Sequence, residues 1–486
     1  MIERLGRLDS PSTALAAARA GRTVYCWFEH KPDYQGGAPT QAVAALLAPV
    51  AGEVIALLAR KELLDAALDR VAPDRVASDR VTSDSQLDPT YLQALAEAAG
   101  TRLLFLDQPL ALSTVTIAKP WGEEIWYTGI EARGVCRVCD TPLPWYLELV
   151  GNEFSGSDIT APLLLKILAP RPEESYGELY FEMHNQKVEV YVVTHVDETA
   201  WPNGTGGIRY GFNQALIDSF ENLNAFQQSY LAAVRDYRAA RLTLDNELDR
   251  IKAAAGIDPQ AVIDTATLEG YKALVDPAIV AQEARVRDRL NRYSTVYPVS
   301  RGDVIRVPPF TPHSLQHGVR VVEFQTPHYE RFILSFSQKV LTQDHWDTEV
   351  ALPQANFAAR FDTSLEATTS TEGCLVETVA DFAEFNVVRI TLAPGADHTI
   401  NLDSYAIVMC IDGEPTVNGA SLHPEQAVLL PHSHASLHLQ SGATGSRQTG
   451  SRQTGSRQTG SRQTGSRQTG SRQTGSRLLV ARPRSR

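Results

Sequence analysis

Glu182, His184 and Glu189 lie within one short stretch, Gly177-Glu-Leu-Tyr-Phe-Glu182-Met-His184-Asn-Gln-Lys187-Val-Glu189, and His313 closes a second block that opens at Gly302-Asp303. Alternate side chains of a β-strand share a face, so Glu182 and His184 point the same way. The polar Asn185-Gln186 step is expected to turn the chain back. Lys187, Glu189, Tyr191 and Val193 then share one face of the return strand. His313 follows a short apolar strand and the Pro-rich turn Pro308-Pro309-Phe-Thr-Pro312, where another inward-facing strand can start. Two imidazoles and two carboxylates converging in a small barrel make a divalent metal site, suited to zinc, manganese or iron.

The elements that must hold these residues are mostly strands. Alternating or apolar runs at Gly134–Val138, Tyr146–Val150 and Leu163–Leu168 precede the first metal block, and strands resume at Val296 and reach Gln325. Between them, Phe226, Tyr230, Val234, Tyr237, Leu244, Leu248 and Ile251 keep three-and-four spacing, which predicts a long amphipathic helix packed by that stripe. Gly256-Ile-Asp-Pro259 stops it, and two further helical stretches flank Asp276-Pro277. The resulting division is 1–112, mixed and partly helical, with a linker at 71–88; 113–212 with 293–350, the metal-binding β unit; 213–292, a helical insertion; and 351–486, a C-terminal β unit. In the first part, Ala14–Ala20 and the Ala/Leu-rich Ala42–Leu68 read as helices, and Thr101–Leu106 as a buried strand. A degenerate five-residue repeat over 71–85 reads as solvated linker.

In the C-terminal unit, runs at Val387–Leu392, Tyr405–Cys410 and Ala427–Leu430 read as a β meander. His432, His434 and His438 share strand parity there, but no acidic ligand block accompanies them, and a barrel without metal is expected. Thr-Gly-Ser-Arg-Gln occurs six times from Thr444 in a low-complexity stretch, 444–477, which cannot bury a core. It reads as a tandem expansion in the turn before a last strand, Leu478–Ala481.

A hydrophobic share of 43% with 21% charged residues is that of a soluble globular chain, and 486 residues are too many for one core. The net charge of −12 conceals an asymmetry: Thr444–Arg486 holds ten Arg and no acid, leaving 35 basic against 57 acidic residues, hence −22, in the body. An acidic body argues against nucleic acid as a general partner. No apolar run approaches the roughly 20 residues that span a bilayer, and Met1–Arg7 lacks the apolar stretch of a secretory signal, so a cytoplasmic protein with no membrane partner is expected. Five cysteines form no disulfide framework, and Cys136-Arg-Val-Cys139 has no second pair, so these read as reduced structural thiols. No Gly-x-Gly-x-x-Gly or Walker-type loop indicates a nucleotide cofactor.

The two metal blocks resemble the paired motifs of the cupin superfamily, with Glu182 where a His or Gln often stands. More narrowly, the order of Pro120-Trp-Gly strand, metal block, helical insertion, second block and further β unit resembles class I phosphomannose isomerase. Glu182-Met-His184-Asn is similar to that family's Gln-x-His-Pro. Lys187-Val-Glu189 is similar to its Lys-x-Glu, Tyr210-Gly-Phe212 to its Tyr-Gly-Phe, and Glu323-Phe-Gln325 with Tyr329-Glu-Arg331 to its Glu-Ile-Gln and Thr-Tyr-Arg. The Pro after the His is missing, the His to Lys-x-Glu loop is minimal, and Thr326-Pro-His328 stands where an acidic residue is usual.

The resemblance implies a mainly β fold of cupin (jelly-roll) barrels: a central metal-binding one, a helical domain, and a second, degenerate cupin-like unit. It implies a metal-dependent aldose–ketose isomerase, with mannose-6-phosphate and fructose-6-phosphate interconverted through an enediol, and a sugar phosphate as the small-molecule partner. The metal, zinc above manganese or iron, falls to Glu182, His184, Glu189 and His313. Lys187, its pKa lowered by burial and by the ion, becomes the proton carrier; Arg331 meets the enediolate or the phosphate; Glu323 orients groups or exchanges protons. The Trp121–Glu124 segment is expected at the edge of the cleft. A cupin oxygenase or epimerase at the same site, and a non-catalytic sugar- or partner-binding cupin, are the rival readings.

Overall fold

The computed structural model describes residues 2–32, 39–71, 87–130, 134–157, 161–259, 261, 263–335, 346–442 and 475–484. Most of the 71–85 repeat and the Thr-Gly-Ser-Arg-Gln tract up to 474 lie outside the described residues. The fold is mainly β with a helical insertion.

The metal blocks lie in two sheets packed face to face. A six-stranded sheet runs in the order Val304–Val307, Glu189–Val196, Val319–Gln325, Leu164–Pro170, Gly122–Trp126, Val115–Lys119. A five-stranded sheet runs Ser294–Ser300, Thr205–Phe212, His313–Leu315, Phe181–Met183, Phe332–Ser335. Tyr191, Val193, Ile305 and Val321 of the first meet Ile208, Tyr210, Leu315 and Ile333 of the second in one apolar core. The two sheets make a β sandwich, and one end of its interior is polar. Residues of opposite parity on the larger sheet, Val190, Val192, Ile167, Val322 and Phe324, join a separate core shared with the N- and C-terminal units. A strand buried on both faces shows no simple alternation, which is why Leu164–Pro170 is apolar at both parities apart from Lys166.

The helical insertion lies outside the smaller sheet. Leu223–Ala254 carries the foreseen stripe: Phe226, Tyr230, Val234 and Tyr237 are buried against Phe181, Met183 and Phe212, whereas Leu244 and Leu248 pack with Leu268 and Val275. Asn222 caps its start by accepting from Ala225 N–H, and the chain turns off at Ala255 and Gly256, whose φ is +72°. Thr265–Lys272 and Pro277–Asn291 follow, the latter capped by Asp276.

Several expectations are corrected. Gln41–Val50 and Glu53–Arg60 are strands, and only Lys61–Val71 of the Ala/Leu-rich run is helical. Both strands lie inside the N-terminal sheet of Ile2–Arg7, Thr23–His30, Gln41–Val50, Glu53–Arg60 and Leu104–Phe105, with both faces covered, so their Ala and Leu carry no period. Ala51-Gly52, with φ of +52° and +90°, makes the two-residue hairpin turn between them. Tyr146–Val150 belongs to a helix, Leu143–Val150, in which Leu143, Tyr146, Leu149 and Val150 are buried at helical spacing. Of Gly134–Val138 only Arg137–Val138 is a strand, and it joins the C-terminal sheet through Leu110–Ser113.

The C-terminal unit pairs a nine-stranded with a four-stranded sheet around Ile390, Val408, Leu437, Leu439 and Val480. Ser476–Pro483 is an inner strand, hydrogen-bonded to Phe385–Leu392 on one side and Ala406–Asp412 on the other. His432 and His434 precede the strand Ser436–Ser441, and only His438 lies within it. His434 contacts Asn418 at 3.3 Å and His438 contacts Thr399 at 3.0 Å. No helix among the described residues is long and apolar enough to cross a membrane.

Candidate metal centre and the cleft above it

The Asn185-Gln186 step does not form a hairpin, as the sequence had suggested. It carries the chain from the smaller sheet, where Phe181–Met183 pairs with His313–Leu315 and Phe332–Ser335, to the larger one, where Glu189–Val196 pairs with Val304–Val307 and Val319–Gln325. Glu182 and His313 are direct cross-strand partners. His184 ends the smaller sheet's contribution, and Glu189 approaches from the facing sheet. Parity within strands and facing between sheets together bring the four residues to one point.

Glu189 Oε1 lies 2.8 Å from His313 Nε2 and 3.4 Å from His184 Nε2, and Glu182 Oε1 lies 3.8 Å from His184 Nε2. Donor atoms of Glu182, His184 and His313 fall within 4.8 Å of one another. Tetrahedral ligands at zinc-type bond lengths stand about 3.3 Å apart, near the 3.4 and 3.8 Å separations at His184 Nε2, so Glu182, His184 and His313 suit one small divalent cation, and Glu189 borders that group through both imidazoles. The rings are oriented from behind. His184 Nδ1 donates to the Glu330 carbonyl at 2.8 Å, and His313 Nδ1 to the Thr311 carbonyl at 3.0 Å. A carbonyl only accepts, so each Nδ1 carries a proton and each ring turns its Nε2 to the cluster. Neither Nε2, nor Glu182 Oε2, makes a well-formed hydrogen bond among the described residues. Unprotonated nitrogens and carboxylate oxygens facing each other at 2.8–3.4 Å in a buried site repel unless a proton or a metal cation lies between them.

The electrostatics agree. Burial, with Lys187, lowers His184 and keeps it neutral. Burial raises the Glu182 carboxyl, but Arg331, His184 and Lys187 outweigh it and leave the group below its ordinary value; Glu189 is held well below by Lys187 and the two imidazoles against the same penalty. Lys187 answers to the protein's own charges, before any ion is added. Burial does pull it down, yet Glu189, Glu323 and Glu182 overcome burial and raise it above the ordinary lysine value. Its Nζ lies 2.6 Å from Glu189 Oε2 and 3.8 Å from Glu323 Oε1. Burial, with Glu189, pushes Glu323 up to about 8 despite Lys166 and Lys187.

Across the larger sheet, Tyr191, Glu323, Lys166 and Trp126 occupy one row on four adjacent strands. Lys166 Nζ is 3.2 Å from Glu323 Oε2 and lies 4.8 Å from the Trp126 ring centroid. Trp126 Nε1 donates to Glu124 Oε2 at 3.0 Å, so Glu124 borders the cleft, as expected of that segment. Trp121 of the same segment is instead buried in the barrel core. Lys166 and Trp126 of this row line a cleft of about 360 Å³, within the small-molecule range, whose walls include Glu182, His184, Lys187, Gln325, His328, Tyr329, Glu330 and Arg331. Arg331 stands at its mouth, its guanidinium 4.7 Å from the Tyr180 ring centroid and 3.9 Å from Glu182 Oε2.

The structure thus brings together all seven site residues read from the sequence, and it adds Lys166, Trp126 and Glu330. Lys166 had a usable signal, a lysine inside an otherwise apolar strand, where an unpaired ammonium is rarely buried. Glu330 had none, because its role depends on a loop contact.

No family model matches the chain, and no curated protein does. Solved structures do. Mannose 6-phosphate isomerase from Bacillus subtilis is 13% identical over 77% of this chain and 99% of its own, with a TM-score of 0.48. The apo form from Salmonella typhimurium is 12% identical over 78% and 99%, at 0.49. A zinc-bound holo mannose 6-phosphate isomerase is 11% identical over 78% and 100%, also at 0.49. These are isomerases of the family that the motifs resemble; overlap this loose leaves reaction and substrate to be argued from the site's own residues.

Proposed function

We propose that the chain is a metal-dependent aldose–ketose isomerase acting on a sugar phosphate, most directly mannose-6-phosphate to fructose-6-phosphate. The observation that carries this reading is the convergence of two imidazoles and two carboxylates beside a cleft that Glu182 and His184 line together with Lys187 and Arg331. Glu182, His184, Glu189 and His313 would hold the ion, zinc being the first candidate for this donor set. Bound there, it would act as a Lewis acid on substrate oxygens and spread the charge that develops when a C–H proton leaves.

The chain's own groups supply the rest. The reaction takes a proton from C2, passes through an enediol and returns a proton to C1, so one face of the sugar needs a proton carrier. Lys187 and Glu323, 3.8 Å apart, are the two groups suited to carry it, with one water or a substrate oxygen needed to bridge them. Arg331 offers a rigid, permanently charged fork at the mouth, suited to the phosphate or to an enediolate oxygen. Trp126 and Tyr329, with ring centroids 6.2 Å apart, give the wall an apolar surface for a sugar face.

A coupled assay on mannose-6-phosphate before and after chelation tests the reading. Turnover that vanishes with chelator and returns with metal is expected, with solvent deuterium entering the product. Substrate-dependent O₂ uptake would point to the oxygenase rival, and tight sugar binding without turnover to a binding protein.

A further inference from the structure

Three parts of the site close on Glu330, a residue whose carboxylate the chemistry above leaves without a role. Its Oε1 accepts from the backbone N–H of Gln186 at 2.6 Å and of Lys187 at 2.8 Å. Its backbone carbonyl accepts from His184 Nδ1 at 2.8 Å. Its neighbour Arg331 places Nη1 3.9 Å from Glu182 Oε2.

The segment it grips is the step between sheets. From His184 to Lys187 the chain has left one ladder and has not entered the next, so its amides have no strand partner. On one side the step is tied down by Phe310 N–H donating to the His184 carbonyl at 2.6 Å. Beyond it, Val188 N–H reaches Thr326 Oγ1 at 3.1 Å. Between those two anchors lie only the exposed Asn185 and Gln186 and the first residue of the next block. A single carboxylate oxygen taking two consecutive amides fixes the direction of that turn, as an anion does in a backbone nest.

We infer that Glu330 is the positioning residue that sets the spacing between the metal-ligating His184 and Lys187, through its carboxylate on the Gln186 and Lys187 amides and its carbonyl on the His184 ring. This rests on the metal-dependent isomerase reading. It assigns the Glu330 carboxylate to the loop rather than to substrate.

The test uses the full-length chain with Glu330→Ala and Glu330→Gln and reads three quantities: amide hydrogen exchange at Gln186 and Lys187 in chelator, cobalt(II) affinity with its visible spectrum, and turnover of mannose-6-phosphate. In Glu330→Ala the two amides should exchange at least about tenfold faster, and cobalt(II) binding should weaken by about 10–100-fold with altered visible bands. Glu330→Gln keeps an Oε1 acceptor and should rescue most of both effects, which a merely destabilising substitution would not show. With metal saturating, kcat should fall more than KM rises in Glu330→Ala. Unchanged exchange, cobalt affinity and spectrum in Glu330→Ala would overturn the inference, even if the wild type isomerises sugar phosphates. Exchange and cobalt effects as expected in a wild-type background that isomerises no hexose phosphate would uphold the positioning role and sink the isomerase reading.

Discussion

Replacing Lys187 by methionine separates the two positive charges that Glu189 is built to receive. The ammonium lies 2.6 Å from Glu189 Oε2 and 3.8 Å from Glu323 Oε1, and both carboxylates are at most 1% exposed. Removing one partner of such a buried pair costs about 3–5 kcal/mol, because the remaining charge stays out of water. The lower end applies here. Glu323, raised to about 8, mostly keeps its proton at pH 7, and Glu189 can take one when its partner is gone. About 3 kcal/mol corresponds to a fall of roughly 6–12 °C in Tm for a unit of this size. A divalent cation restores the missing charge beside Glu189, so saturating metal should raise the Tm of Lys187→Met by more than it raises that of the wild type. Calorimetry of both proteins in chelator and in excess zinc measures the four transitions, and the metal-loaded variant should turn over no mannose-6-phosphate. Equal Tm values in chelator, or equal metal increments in the two proteins, would refute this charge accounting.

Arg331→Ala should keep cobalt(II) affinity within about threefold while lowering kcat by about 10²–10³, the usual loss for one group that stabilises developing charge; steady-state kinetics beside a metal titration check both halves. Phe226→Ala should cost about 3–5 kcal/mol in thermal or denaturant unfolding, since the ring is fully buried against the sheet that carries Glu182 and His313. Deleting residues 443–474 and joining Gly442 to Gly475 should leave Tm within a few degrees. The flanking strands already meet, with Ser441 Oγ 2.9 Å from Ser476 Oγ, and a shorter loop changes closure entropy by only about 1–2 kcal/mol. Removing 475–486 instead takes out an inner strand and should leave the C-terminal unit insoluble or unfolded by circular dichroism.

The site was legible in the sequence wherever strand parity alone decides direction. Glu182 with His184, and Lys187 with Glu189 and Tyr191, need only period two. The stripe from Phe226 to Tyr237 likewise needs only the helical period. What escaped depends on tertiary partners. Asn185-Gln186 has the same local composition whether it closes a hairpin or crosses between sheets, and burial of Phe181 and Met183 against the helices decides for the crossing. Ala42–Leu68 misled because strands covered on both faces lose alternation and Ala and Leu favour helices when nothing covers them. For Lys187 the sequence showed burial and a cation but not the three carboxylates that the fold gathers around it, which pull in the opposite direction. Lys166 and Glu330 join the site through a cross-strand row and a loop contact, neither of which has a sequence period.

Metal titration of the chelator-stripped full-length chain, alongside His184→Ala and His313→Ala, tests the metal centre most directly. One equivalent of zinc or cobalt(II) should bind the wild type, with affinity weakened at least about a hundredfold in each variant. Absence of binding to the wild type, or binding that survives both substitutions unchanged, would contradict it.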